Sequence, residues 1–401
     1  MDLHDCLDTH MQLNTLNSVD LSTARFRAAD AYELVLFDRL NAAEQTAFAE
    51  LQRDPDFYGV LRPRHDASRT IKAVTRDSAL LILTLTTPGS LPFFVRREPT
   101  ATQAISDLVL AGILEIEHDG AFVSGVAATP LLTFAPTNGN QHPLTQLSVN
   151  AVRFAAEQRS TSAERISAEL YQFNRQPLSP RWTRTLGDRE AVLAFVGLDK
   201  GSPARRSLVS EWDIDGKGSS SAWIYFARRG TTTRVASGRE DAYKLYVSPT
   251  LADFPRAFAA VAGIASRHSV RHFKIGSDAS GLARPDKFVL YFPALDALLA
   301  VAREIENALP DVAAQGVPFT APIDPRGLLS WGADPPGSAQ PLSWLSRDSW
   351  RTWLVFRLAS SLVEGQGSDP ETLVQYAFDR LRRGGVDTDR WVANTTAWTT
   401  L

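Results

Sequence analysis

Lysine, arginine and tyrosine recur in the second half of the chain at spacings that could support proton abstraction beside a phosphate group. They stand in "YKLYV" at 243–247, "HFKIG" at 272–276 and "FVLYF" at 288–292, with Arg284 in the loop before the last segment. Arginine offers phosphate oxygens a planar, bidentate fork. Neighbouring positive charge and partial burial lower the pKa of a lysine, so that a fraction becomes a neutral base. A base beside a phosphate pocket suits β-elimination of phosphate from phosphoserine or phosphothreonine, a reaction that needs no metal, cofactor or nucleophile.

The alternation of side chains along a strand predicts which of these residues share a face. Lys244 and Tyr246 project from the same side of the first segment. Lys274 and Tyr291 take the polar side of the next two segments, and the residues flanking each of them are apolar. If the three strands are neighbours, one sheet surface gathers these four side chains, and Arg284 enters from the loop.

A solvated sheet face is the alternative interpretation, since a lysine on an amphipathic strand ordinarily faces water. Two features favour a site. The polar face carries cations without acidic partners in the same strands. Arg284 also lies in a loop that contains glycine and proline, and site residues concentrate in such loops.

The elements around these segments predict a mixed α+β domain over residues 149–401. The predicted order is a helix at 151–182, strands at 191–198, 221–229 and 243–249, a helix at 251–266, strands at 271–277 and 287–292, a helix at 295–309, a loop at 316–342 and C-terminal helices at 349–365 and 369–387.

The pattern of elements in residues 1–135 predicts a separate domain. Helical periodicity at 43–52 is followed by a helix starting at Thr75 or Asp77, a second helix capped by Thr100 or Thr102, and a hairpin with a His-Asp-Gly tip. Helix, turn, helix and a two-stranded wing resemble a winged helix-turn-helix.

The second helix of this domain has no Arg or Lys, although DNA-recognition helices normally present basic or amide side chains. Sequence-specific DNA binding is therefore the least favoured interpretation. The domain is expected to be either a plain packing module or a peptide-binding module in which the edge of the wing accepts an added strand.

Composition limits the other function classes. A chain of 401 residues favours two domains, and the uncharged, Pro- and Gly-containing stretch 131–148 is the predicted boundary. A net charge of −3 argues against nucleic acid as the main partner. The single cysteine, Cys6, excludes a disulfide or a cysteine-based zinc site within one chain, and the histidines have no metal-binding spacing.

Targeting and catalytic signatures are also missing from the sequence. The N-terminus is acidic and lacks a signal-peptide pattern, and the longest apolar run, "SALLILTLTT", is too short to cross a bilayer, so we expect a cytoplasmic protein without a membrane partner. The chain contains no P-loop, no G-x-S-x-G, no kinase signature and no dinucleotide fingerprint.

Three segments, "YKLYVSP", "HFKIG" and "RPDKFVLYF", resemble the core of the HopA-type effector proteins and, more remotely, the phosphothreonine lyases of bacterial effectors. Related domains are the lyase component of class V lanthipeptide and thioamitide synthetases. The resemblance covers residues 165–335 and extends less closely to "GGVDTDRW". It implies that a separate kinase-like protein phosphorylates Ser or Thr of a precursor peptide, and that this chain then eliminates the phosphate to give dehydroalanine or dehydrobutyrine.

The resemblance also implies roles for individual residues. Lys274 matches the lysine taken as the base for the Cα proton, and Arg284 and Tyr291 match residues on the phosphate side. Lys244 matches the first residue of a Lys-x-His pair, but Tyr246 stands where the effector lyases have the general-acid histidine. A phenol has an ordinary pKa of about 10 and is a weaker acid, so the phosphate could instead leave as a dianion.

Two further expectations concern binding. Arg326, in "DPRGLLSWG", is a predicted phosphate ligand from its position alone. Enzymes that modify ribosomally made peptides often carry a small winged-helix-like element, so the resemblance implies that residues 1–135 bind the leader of the precursor as an added strand. The rival hypothesis is a non-enzymatic protein that recognises a phosphorylated or acidic peptide without reacting.

Overall fold

The computed structural model describes residues 23–65, 69–96, 101–132, 142–215, 222–230, 242–336 and 349–394. Cys6, Thr100 and residues 133–141 of the predicted boundary segment lie outside these ranges. The chain divides into two compact units, residues 1–45 with 54–139 and residues 46–53 with 140–401.

Residues 23–132 form two antiparallel sheets with short helices. The elements are β1 Arg25–Ala28, β2 Tyr32–Leu36, α1 Ala42–Phe48, β3 Phe57–Pro63, β4 Lys72–Thr75, α2 Arg76–Thr84, β5 Gly89–Ser90, α3 Phe93–Arg96, α4 Ala101–Leu110, β6 Leu114–His118, β7 Ala121–Val123 and α5 Thr129–Leu132. One sheet has the order β5-β1-β6-β7 and the other β2-β3-β4.

The local elements predicted for this region are present. Thr75 caps α2, because its side chain accepts a hydrogen bond from the backbone N–H of Ser78 at 3.3 Å. The turn between β6 and β7 holds Asp119 and Gly120, both with positive φ, as a two-residue hairpin requires. The assignment of a winged-helix domain stays a prediction.

The described residues between 142 and 394 contain a seven-stranded antiparallel sheet and helices. The elements are α6 Pro143–Glu157, α7 Ala163–Gln172, α8 Pro180–Thr185, α9 Arg189–Phe195, α10 Pro203–Glu211, β8 Trp212–Asp215, β9 Trp223–Arg228, β10 Tyr243–Val247, α11 Phe254–Arg267, β11 His272–Gly276, α12 Ala279–Leu282, β12 Phe288–Phe292, α13 Leu295–Ala308, β13 Ala321–Pro322, β14 Leu329–Ala333, α14 Trp350–Glu364, α15 Pro370–Arg383, β15 Val386–Asp387 and β16 Val392–Ala393. The sheet order is β13-β14-β10-β12-β11-β9-β8, which gives the mixed α and β structure that the sequence predicts.

One face of this sheet is apolar and supplies the core. Leu245, Phe273 and Leu290 are buried in a cluster with residues of α11 and α13. Fully burying a side chain of this kind contributes about 1.5–3 kcal/mol. The opposite face is therefore the one that carries the polar side chains of these strands.

Three element predictions for this region are wrong. Residues 191–198, predicted as a strand, lie mostly in α9, because Asp188 caps a helix by accepting from the N–H of Ala191 at 2.9 Å. The single helix at 151–182 is three helices, and Ser162 caps the second of them. The predicted loop 316–342 contains β14, which pairs with β10 inside the sheet.

In the described ranges, no helix combines the length and the apolar character that a bilayer crossing requires.

Candidate active site

The strand register places the predicted polar residues next to one another. β12 lies between β10 and β11, so Lys244 pairs with Tyr291, while Tyr246 and Lys274 flank Val289 from opposite sides. Residues paired across antiparallel strands project from the same face. The structure thus brings Lys244, Tyr246, Lys274 and Tyr291 onto the face opposite the apolar core.

Lys274 is surrounded by aromatic rings. Its ammonium lies 4.1 Å from the ring centre of Trp223, 5.8 Å from that of Tyr225 and 5.7 Å from that of Tyr291. Within the described part of the chain, no carboxylate lies within ion-pair distance of this amine. Lys274 is therefore held by ring faces, which attract a cation without accepting its proton.

The pKa of Lys274 is lowered from 10.5 to about 8. Burial is the largest cause, and the positive charges of Lys244 and Arg284 act in the same direction. Asp286 and Asp334 oppose these effects. An amine with this pKa is in part neutral near pH 7 and can accept a proton.

Arg284 is oriented by Asp286. The carboxylate accepts hydrogen bonds from Nε at 2.9 Å and from Nη2 at 3.0 Å. A guanidinium has five N–H groups, so the edge formed by Nη1 and Nη2 still has N–H groups for a phosphate oxygen. Arg284 can thus bind a carboxylate along one edge and a phosphate at the other.

Asp286 also joins two residues from distant parts of the chain. Nη1 of Arg351, in the first turn of α14, lies 3.0 Å from it, and the hydroxyl of Tyr171, in α7, donates to it at 3.0 Å. Burial is the largest single influence on the Asp286 carboxyl and raises its pKa, but the two guanidinium groups and the hydroxyl together outweigh burial and hold the pKa well below its usual range. Burial and the Asp286 charge raise the pKa of Tyr171 to about 12, so Tyr171 remains a neutral donor.

The first turn of α14 also contacts the part of the site around Lys244. Lys244 forms an ion pair with Asp334, and Asp334 also accepts a hydrogen bond from the backbone N–H of Trp350 at 2.9 Å. Trp350 packs so closely on Gly332 that a Cβ there would lie 2.6 Å from its ring. Only glycine at 332 allows this approach of Trp350 to β14.

Tyr246 lies on the predicted face but is buried. It packs with Val289 and Val317, and burial raises its pKa well above the ordinary value of 10. A phenol with a raised pKa gives up its proton less readily. The structure therefore gives no support to a general-acid role for Tyr246, which stays a prediction.

Arg326 is engaged in a loop. Its Nη1 donates to the carbonyls of Leu309 at 3.0 Å and Pro310 at 2.5 Å, and its Nε lies 3.3 Å from Asp324. These bonds join the loop before β14 to the end of α13. The structure does not bring Arg326 into contact with Lys274 or Arg284, and its role as a phosphate ligand remains untested.

Lys287 is a second buried amine on the polar face. Its Nζ donates to the carbonyl of Pro249 at 2.7 Å and to the side-chain oxygen of Gln315. Burial lowers its pKa from 10.5 to about 7, and Asp286 opposes the change. The Gln315 side chain in turn donates to the carbonyl of Ala283 at 3.1 Å, so Lys287 supports the loop that carries Arg284.

Sequence reasoning missed several residues of this site, among them Trp223, Asp286, Asp334 and Arg351. Asp286 stands two residues after Arg284, and this spacing was a visible signal for a local ion pair. Trp223 stands two residues before Tyr225 in a predicted strand, and this spacing indicates that the two side chains share a face with each other. Asp334 and Arg351 come from elements with no sequence link to the polar strands. The acidic partners absent from the strands themselves are thus supplied by neighbouring segments.

No protein-family model and no curated protein matches the sequence. Among solved structures, an effector protein from Pseudomonas syringae pv. syringae strain 61 is 13% identical over 62% of this chain and 98% of its own, with a TM-score of 0.36. The type III effector and phosphothreonine lyase OspF from Shigella flexneri is 17% identical over 33% of this chain and 77% of its own, with a TM-score of 0.26. The phosphothreonine lyase SpvC from Salmonella is 15% identical over 47% of this chain and 90% of its own, with a TM-score of 0.25. At these scores the similarities establish neither a shared fold nor a shared activity.

The site as built can hold an anion and accept a proton. Lys244, Lys274 and Arg284 provide positive charge, and Lys274 has the lowered pKa of a base. Across the described ranges, no group of three His, Cys, Asp or Glu side chains is placed to hold a metal ion.

Proposed function

We propose that this chain is a phospho-Ser/Thr lyase that eliminates phosphate, without a cofactor, from a ribosomally made precursor peptide. The observation that carries the proposal is Lys274, a buried amine whose pKa is lowered to about 8 and which has Lys244 and Arg284 as neighbours. A perturbed amine beside spare arginine N–H groups is the combination that β-elimination of a phosphate requires.

The proposed reaction proceeds as follows. Neutral Lys274 Nζ takes the Cα proton of the phosphorylated residue and becomes an ammonium. The electron pair of the Cα–H bond forms the Cα–Cβ double bond as the Cβ–O bond breaks. The phosphate leaves with the electron pair of that bond, and the Nη1 edge of Arg284 together with Lys244 stabilises its charge. The products are dehydroalanine or dehydrobutyrine and inorganic phosphate.

The buried Tyr246 affects how the phosphate leaves. Its raised pKa disfavours protonation of the leaving oxygen by the phenol. A dianionic phosphomonoester then leaves as PO4³⁻ paired with the cations and takes a proton from water to become the dianion. Tyr291 lies 5.7 Å from both Lys244 and Lys274, measured from its ring centre, and we assign it to the wall of the phosphate pocket. We leave Arg326 out of the proposed reaction.

We further propose that the reaction belongs to lanthipeptide-type biosynthesis and that the partners of this chain are a kinase-like protein and the precursor peptide. Elimination needs a phosphorylated residue, so a separate kinase-like protein must act first. The leader of the precursor would be bound by residues 1–135, where β7 ends the order β5-β1-β6-β7 and offers an edge for an added strand.

Incubation of the full chain with phosphoserine and phosphothreonine peptides tests the activity. We expect mass spectrometry to show loss of phosphoric acid from the peptide, with matching release of inorganic phosphate. A peptide-binding protein without activity is the second candidate, and the burial of Tyr246 favours it because an acid is then missing. Saturable phosphopeptide binding with no elimination over long incubation would support that candidate and contradict the lyase.

A further inference from the structure

Trp223, the first residue of β9, contacts both cations to which the proposed function gives a role. The ammonium of Lys274 lies 4.1 Å from the centre of its ring, and Cζ of Arg284 lies 4.7 Å from the same centre. The two charged groups are therefore no more than 8.8 Å apart, the sum of 4.1 and 4.7 Å.

Two cations at this separation repel each other, so each needs a compensating neighbour. Asp286 compensates Arg284 directly. Lys274 has aromatic faces instead, and the indole of Trp223 is the nearest of them. An indole attracts a cation more strongly than any other aromatic side chain. Unlike a carboxylate, it does so without an ion pair that would hold the amine in its protonated form.

We infer that Trp223 is a positioning residue that holds Lys274 and Arg284 at the separation one phosphorylated side chain requires. This inference rests on the proposed function. A base must approach Cα to about 3.5 Å, and a guanidinium N–H donates to a phosphate oxygen at about 2.8 Å, which keeps the two cations within roughly 10 Å of each other. The upper limit of 8.8 Å satisfies this requirement.

Tyr225 provides a matched control on the same strand. It lies two residues after Trp223 and pairs with Lys274 across β9 and β11, with 5.8 Å between its ring centre and the ammonium. Arg284 lies over the rings of Trp223 and Tyr171. Replacement of Tyr225 should therefore disturb Lys274 weakly and leave the position of Arg284 unchanged.

The experiment compares Trp223→Leu, Trp223→Phe and Tyr225→Leu in the full chain. Elimination from a phosphothreonine peptide gives kcat and KM, and NMR titration of ¹³C-methylated lysines gives the pKa of Lys274. Leucine keeps the site apolar but removes the ring, so we expect the pKa of Lys274 to fall by about 0.5 and KM to rise. Misplacement of the two cations should lower kcat/KM about 10- to 100-fold. Trp223→Phe retains a ring face, and we expect kcat/KM within about threefold of the wild type.

Three results would overturn the inference, and they can be told apart. No elimination by the wild type would contradict the proposed function and this inference together. Elimination by the wild type, with KM and the Lys274 pKa unchanged in Trp223→Leu, would contradict this inference alone. An equal rise in KM in Tyr225→Leu would also overturn it, because the effect would then not depend on contact with Arg284. Circular dichroism confirms that each variant is folded.

Discussion

Asp286 holds the guanidinium of Arg284 along one edge, with distances of 2.9 Å to Nε and 3.0 Å to Nη2. Because Asp286 is itself fixed by Arg351 and Tyr171, the direction of Arg284 is set before any phosphate binds. A side chain that is already ordered loses little conformational entropy on binding. The arrangement therefore favours Arg284 over a mobile surface arginine as a phosphate ligand.

Arg284→Ala should be far more damaging to elimination than Tyr246→Phe. The first change removes charged hydrogen bonds to the leaving phosphate, and we expect kcat/KM to fall about 10- to 100-fold or more. The second removes only a buried hydroxyl, and the rate should stay near that of the wild type. Single-turnover rates on one phosphopeptide measure both. A defect larger for Tyr246→Phe than for Arg284→Ala would show that the phenol donates the proton.

Asp286→Asn should destabilise the fold. It leaves Arg351 buried without its carboxylate partner, and loss of one partner from a buried pair costs about 3–5 kcal/mol. Denaturant unfolding followed by circular dichroism measures the change. Glu304→Gln is the matched control, because Glu304 pairs with Arg267 and His268 at the surface and should change the unfolding free energy far less. Equal effects of the two substitutions would contradict the structural role of Asp286.

Lys287 should make the protein more stable as the pH rises above 7. Its folded pKa is about 7 and its unfolded pKa is 10.5, so between these values the unfolded state binds more protons than the folded state. The unfolding free energy then rises by up to about 1.4 kcal/mol per pH unit from this residue. Below pH 7 both states are protonated, and the contribution no longer changes.

Lys287→Met isolates that contribution. Lys274 has a lowered pKa too and gives the same direction of change, but it is retained in the variant. Between pH 7 and 9 we expect the wild type to gain about 2 kcal/mol more than Lys287→Met. Urea unfolding at several pH values measures this difference. Parallel pH profiles of the two proteins would show that Lys287 is charged in the folded state at neutral pH.

The N-terminal region should bind an unmodified leader peptide and not duplex DNA at physiological salt. Its helix α4 contains no lysine or arginine, whereas duplex binding depends on neutralising phosphates with such residues. Titration of the full chain with each ligand over a range of salt concentrations decides between them. Tight DNA binding that weakens steeply with salt would reverse this assignment.

Strand alternation was sufficient to predict which polar side chains lie on the same side of each strand. Lys274 and Tyr291 each stand between apolar neighbours, so a buried sheet face fixed the direction of each of them. The register shows that β10, β12 and β11 are neighbours, which is the condition under which these side chains meet. The apolar pattern failed at residues 191–198, because a run of this length fits a buried strand or a short helix equally well. The cap at Asp188 decided in favour of the helix.

The rest of the site depends on contacts between distant segments. Arg351 reaches Asp286 from α14, and β14 enters the sheet from a stretch rich in proline and glycine, which local reasoning interprets as a loop. The burial of Tyr246 follows from contact with Val317, far along the chain. No local spacing contains this information, since it arises only when the strands and helices pack.

The pH dependence of kcat/KM for elimination from a phosphopeptide, measured for the wild type and Lys274→Ala, tests the central claim most directly. The pKa of about 8 for Lys274 means that roughly one-tenth of the amine is neutral at pH 7. We therefore predict that kcat/KM of the wild type rises about tenfold per pH unit below pH 8 and then levels off. In the enzyme–substrate complex, the negative phosphate should raise the pKa of Lys274, so the rise of kcat should occur at higher pH than the rise of kcat/KM.

Lys274→Ala should show no elimination at any pH while it remains folded. Undiminished elimination by Lys274→Ala, or a wild-type rate that does not change between pH 6 and 9, would contradict the assignment of Lys274 as the base.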